Sequence, residues 1–159
     1  MMHLDFKAIF LNFQEKYNEY ILPMPSSGIT TSTPPGNSFN DLPEDFEYYL
    51  KNFPGYIEGY DQNGIRFLNF NEVGSLDQIY WDWEGSPNYS LLLKDVPAPD
   101  DYLVFAEELM HLSSFALCIN RSNEQYESVF KFSGDGLQKI TGSFSEFIYL
   151  YLNDSDILE

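Results

Sequence analysis

Apolar positions along the chain fall into two kinds of pattern. From Asp5 to Ile21, Phe6, Ile9, Phe10, Phe13, Tyr17, Tyr20 and Ile21 recur at helical three/four spacing, opposite Lys7, Asn12, Glu15, Lys16 and Glu19. Asp5 can cap this helix, and Pro23 ends it. The aromatic stripe is read as a face packed on the protein's own sheet. Asp41 to Asn52 reads as a second helix. Asp41 and Glu44 have capping-box spacing, Phe46, Tyr49, Leu50 and Phe53 form its inner stripe, and Pro54-Gly55 stops it. A third helix is expected after Gly142. Ser143 and Glu146 form a second capping box, and Phe144, Phe147, Ile148 and Tyr151 form the buried face.

Other segments carry strand signals. Asn63-Gly64 marks a turn before a strand at Ile65 to Phe70, and Gly134-Asp135-Gly136 separates Ser128 to Ser133 from Leu137 to Ile140 as a hairpin. At the centre, Tyr102 to Ala106 and Ser114 to Ile119 are unbroken apolar runs, as expected of neighbouring strands buried on both faces. Glu107-Glu108 stand between them as an acidic break. In the stretch Asn71 to Pro99, Leu76, Ile79, Tyr80 and Trp83 could line a short helix with Asp77, Asp82 and Glu84 around its rim. The rest is expected to be an irregular excursion packed on the sheet by its two tryptophans. Pro23 to Ser38 holds four prolines, two glycines and seven serines or threonines, and reads as an exposed loop. The predicted fold is one α+β domain over residues 1–159, a small, mainly antiparallel sheet with helices packed on it.

Composition adds one outlying property. Eight Lys and Arg against 25 Asp and Glu leave a net charge of −17 in a chain of 159 residues. That charge repels nucleic-acid backbones and anionic membranes and favours a basic partner. No apolar run approaches the roughly 20 residues of a membrane span. The N-terminal Met-Met-His-Leu-Asp-Phe-Lys stretch lacks a signal-peptide pattern, so a cytoplasmic location is the expectation.

Candidate chemistry is sparse. Cys118 is the one cysteine, inside an apolar run where cysteine acts as a small hydrophobe, and no activating motif surrounds it or joins it to His111. Asp61, Asn63 and Glu72 have the outer spacing of a calcium loop, but Arg66 stands at the glycine position and Ile65 at a ligand position, so that reading fails. Two histidines give no basis for a zinc site, and phosphate-loop and nucleophile-elbow motifs are absent. No catalytic, metal or cofactor residue is assigned, and a non-enzymatic protein is expected. The candidate partner-binding residues are Asp77, Trp81, Asp82, Trp83 and Glu84, a mix of carboxylates and large aromatics suited to an anchor in a charged rim. Asp100, Asp101, Glu107 and Glu108 are candidates to extend that negative region. The alternative is that both tryptophans are core and the acids merely solvated.

The order of Leu42 to Gly55 (LPEDFEYYLKNFPG), Ile65 to Val73 (IRFLNFNEV), YLVFAEE, SVFKFSG and Lys139 to Leu152 (KITGSFSEFIYLYL) resembles the SMI1/KNR4, or SUKH, superfamily. The resemblance covers about residues 41–153, with residues 1–22 and the loop 23–38 as additions. Where many members carry a glycine-rich turn after the acidic residues, this chain has Leu109 to Ser114. The resemblance implies a non-enzymatic protein. Bacterial members are often immunity proteins that bind and inactivate a cognate polymorphic toxin, and others are regulators in fungi. It therefore implies a cognate, basic toxin partner such as a nuclease, met by an acidic surface. The alternative it leaves is a regulatory or scaffold protein that binds an endogenous partner, with no direct contact to nucleic acid or membrane.

Overall fold

The structure, a computed structural model, describes residues 5–20, 42–53, 64–70, 72–83, 88–108 and 113–153, and for 17–20 only the backbone. The loop 23–38, Asp41, Pro54-Gly55, Asp61, Asn63, Glu84, His3 and His111 lie outside these residues, as do the side chains of Tyr17, Tyr20 and Ile21.

The chain is an α+β fold, with the order α1 (Phe6–Tyr20), α2 (Glu44–Asn52), β1 (Ile65–Phe67), β2 (Gly74–Ser75), α3 (Leu76–Tyr80), α4 (Tyr89–Leu92), β3 (Tyr102–Glu108), β4 (Ser113–Cys118), β5 (Val129–Ser133), β6 (Gly136–Thr141) and α5 (Phe144–Leu152). Two short 3-10 turns, Leu93–Asp95 and Pro99–Asp101, connect α4 to β3. The strands form one six-stranded antiparallel sheet in the order β1-β3-β4-β5-β6, with β2 also pairing along β3.

The two apolar runs are indeed β3 and β4, paired to each other inside the sheet. Their burial on both faces follows from the cross-strand register, because directly opposed residues share a face. Arg66, Glu107, Ser114 and Phe132 form one such row, and the rings of Tyr80 and Tyr89 lie against its Phe132. Phe67, Ala106, Phe115 and Lys131 form the adjacent row on the opposite face, where Phe147 meets Phe115 with 5.0 Å between ring centroids. The sheet is thus a middle layer. Helices α1, α2 and α5 cover one face, and α3, α4 and the 3-10 turns cover the other.

The helical layer is nearly all aromatic. Phe13 lies 4.7 Å from Phe67, and Phe144 lies 5.0 Å from both Phe46 and Phe105. Phe6, Phe10 and Phe13 bury the predicted stripe of α1, as Phe144, Phe147, Ile148 and Tyr151 do for α5. Lys16, on the predicted polar face of α1, reaches the carbonyl end of α5. Its ammonium donates to the Tyr151 oxygen at 2.7 Å and lies over the Tyr151 ring, satisfying groups the helix leaves open.

Several predicted ends move. Helix α2 begins after Pro43, which stands at the N-cap in extended geometry without a side-chain cap, two residues later than the predicted cap. Asp45 in its first turn acts across the fold: its Oδ2 accepts from the Ser145 N–H at 2.9 Å and hydroxyl at 2.6 Å, tying α2 to the start of α5. Ser143 caps α5 as predicted, but Glu146 reaches back one residue further than in a standard box, to the Gly142 N–H. Strand β1 stops at Phe67, where the chain turns over Asn69, whose carbonyl accepts from the Glu72 and Val73 N–H groups. The β5–β6 hairpin forms around Gly134-Asp135. Gly136 follows at φ 95°, which glycine adopts without steric cost. Gln138 and Lys139 keep the edge strand β6 polar and exposed.

Candidate functional site

Helix α3 starts from a capping box. The Ser75 hydroxyl accepts from the Gln78 N–H at 3.1 Å, and the Gln78 side chain accepts from the Ser75 N–H at 2.9 Å. With its start held, five residues suffice for a helix that buries Leu76 and Tyr80 and leaves Asp77 exposed. The helical bond from the Trp81 N–H to the Asp77 carbonyl, 3.0 Å, sets Trp81 one turn beyond Asp77 on the same side. Trp81 is 67% exposed, the most open aromatic side chain among the described residues. Asp82 beside it is also exposed.

The two tryptophans therefore part company. Trp83 turns inward after its N–H bonds to the Tyr80 carbonyl, and its ring lies 5.4 Å from Tyr80 and 5.7 Å from Tyr89. The expectation that both tryptophans pack the excursion onto the sheet is corrected. Trp83 does so only in part, and Tyr80 and Tyr89 supply the fully buried anchors. The reason is helical phase: residues 76 and 80 share the buried side, and residues 77 and 81 share the open one.

Glu107-Glu108 do not break β3. Both lie within it, paired in register with Arg66 and Ile65 of β1. Glu107 accepts from the Arg66 Nε at 3.0 Å, and Glu72 takes the same guanidinium at 2.5 Å while its other oxygen accepts from the Asn69 N–H. Burial works against the Arg66 charge, but the bonds and charges of Glu72 and then Glu107 outweigh it and hold its pKa above the ordinary arginine value. Glu72, once a conceivable calcium ligand, is therefore the partner of the arginine that spoiled that motif. Glu108 meets Lys131 at 3.3 Å. Asp100 accepts from the Ser75 hydroxyl, and Asp101 from the side-chain amides of Asn120 and Asn123, fastening the polar loop to the start of β3. The two acidic pairs sit at opposite ends of β3, about 20 Å apart by strand rise. Of the candidates, Asp77 and Trp81 lie one helical turn apart on the open side of α3, and Asp82, next in the chain, is exposed as well. Glu107 and Glu108 are half-buried and matched by cations, and Asp100 and Asp101 hold local structure.

The remaining chemistry is buried. The Cys118 thiol is enclosed in β4, and burial pushes its pKa up, which keeps it protonated and poorly nucleophilic. Burial likewise raises Tyr80 to about 12, against an opposing hydrogen bond with the Ser114 hydroxyl and with help from the Glu107 charge. Tyr89 is raised further, again chiefly by burial. Among the described residues there is no group of three or more metal-ligating side chains, and no helix is long and apolar enough to cross a membrane.

Sequence reasoning passed over the Ser75–Gln78 box, although its spacing was legible, and over Arg66 as an organising cation. Arg66 is recognisable only once β1 is set beside β3. No family model, curated protein or solved structure matches the chain.

Proposed function

We propose that this protein is an immunity protein of the SMI1/KNR4 type, which binds and neutralises a cognate toxin through an acidic surface. The observation that carries the proposal is the disposition of charge. All eight cations lie among the described residues, and several are engaged within the fold. Arg66 and Lys131 answer glutamates between strands, Lys51 pairs with Glu47 along α2, and Lys16 sits on the end of α5. The chain has 25 acidic residues against eight basic ones, and among the described residues no Asp or Glu is buried. An acidic surface of this kind complements a basic protein, speeds encounter with it and repels polyanions. A toxin domain that must grip nucleic acid presents such a basic surface, and an acidic inhibitor competes for it.

The test is co-expression with the toxin domain encoded by the adjacent gene. Growth should be restored, and the purified pair should associate with a rate constant that falls as salt rises. Absence of rescue by a well-expressed, folded protein rejects the proposal.

A further inference from the structure

The open surface at the end of α3 supports a more specific statement about the partner. Trp81 leaves most of a large ring in water at 67% exposure, a cost the fold avoids at Trp83 two residues later. None of the eight cations lies over the Trp81 ring among the described residues, although Lys7, Lys16 and Arg121 lie over Tyr48, Tyr151 and Tyr126. Asp77, one helical turn back, and Asp82, next in the chain, are both exposed, and neither carboxylate has an ion pair or hydrogen bond among the described residues. An apolar face beside two unmatched carboxylates suits a planar cation. Guanidinium stacks on indole and can offer its edge donors to carboxylates at the same time, whereas ammonium is a compact, strongly hydrated charge.

We propose that Asp77, Trp81 and Asp82 form the docking surface for an arginine-bearing segment of a protein partner. The guanidinium lies on the Trp81 ring and its N–H groups donate to the two aspartates. Exposed Leu91, on α4 in the same layer, is available for the apolar neighbours of that arginine. This deepens the immunity reading by naming what the acidic surface selects, and rests on that reading for the identity of the partner.

The experiment titrates the full chain with hexa-arginine and hexa-lysine peptides. Tryptophan fluorescence is followed, and the difference between wild type and Trp81→Phe reports Trp81 alone. Hexa-arginine should give a saturable change, and hexa-lysine should bind at least about threefold more weakly. The double variant Asp77→Asn/Asp82→Asn should weaken hexa-arginine by about tenfold. Glu124→Gln/Asp135→Asn, which removes the same amount of charge from two exposed positions elsewhere, should have a much smaller effect. Equal binding of the two peptides, or equal weakening by the two double variants, overturns the proposal in favour of undirected charge attraction. Growth rescue by a Trp81→Ala variant with undiminished toxin affinity overturns it while leaving the immunity function standing. Peptide binding as expected without rescue by the wild type keeps the arginine surface and removes the toxin as its partner.

Discussion

On the sheet face covered by α1, α2 and α5, Phe13, Phe46, Phe67, Phe105, Phe144 and Phe147 meet ring against ring, and the helices run nine to fifteen residues. On the other face, α3 and α4 are only five and four residues long. Their rings share the space with the Arg66–Glu72–Glu107 cluster, the Tyr80–Ser114 contact and side-chain caps. The first layer derives its strength from buried apolar area, which is undirected and tolerant of local geometry. The second is held in larger part by specific polar contacts. The two sides of one sheet are thus held by different kinds of contact, and a residue's side should forecast how its loss is felt.

Truncation in the helical layer should have the largest effect. Phe144→Ala removes a fully buried ring that touches Phe6, Phe46, Tyr49 and Phe105, and should lower stability by about 3–5 kcal/mol in denaturant unfolding. A loss under about 1 kcal/mol would mean that this layer is not the main support. On the opposite face, Arg66→Ala leaves Glu72 and Glu107 half-buried without their cation and should cost about 2 kcal/mol by the same measurement, reduced from the fully buried case by their residual exposure.

Tyr80→Phe should cost about 1 kcal/mol at neutral pH through the lost contact with Ser114. It should also alter the alkaline limb of the stability profile. The Tyr80 phenol is raised in the folded state from 10 to about 12, so between those values the unfolded chain ionises while the folded one stays protonated. The stability that this tyrosine contributes is present in full below pH 10 and is lost as pH rises through about 12. The variant should show a shallower decline over that window, and an unchanged slope would show that Tyr80 is not the group responsible. Smallest of all, Trp81→Ala should shift stability by less than about 0.5 kcal/mol, because the ring makes little contact with its own fold. A larger loss would move Trp81 from the open surface into the packing.

How much was legible in advance differs between the same two sides. For α1 and α5 the helical period alone identified the buried aromatics, because a long amphipathic helix repeats its signal over several turns. β3 and β4 were legible from their unbroken apolar runs bounded by polar residues, the pattern of a strand covered on both faces. In the short-helix layer, one turn of helix carries too few positions to establish a phase. Leu76 and Tyr80 were placed inside correctly, yet the two tryptophans were given one role. Asp45 shows a different limit: its place in the first turn of α2 was evident, but its bond to Ser145 spans 100 residues.

What the sequence determined by itself is whatever local period and bulk charge dictate. It specified an α+β domain, two central strands, a terminal helix capped by Ser143, and a net charge of −17 that directs attention to a basic partner. Only the tertiary structure decided which carboxylates remain open to such a partner. Glu107 and Glu108 stand in the sequence as an acidic break and a candidate extension of the negative region, but strand pairing brings Arg66 and Lys131 to them. Asp77 and Asp82 are candidates in the sequence together with both tryptophans, and the structure leaves these two exposed, with Asp77 one helical turn from an open indole at Trp81 while Trp83 turns inward. The physical reason is that a charge acts through its distance to other charges, and those distances are set by register and packing between segments far apart in the chain.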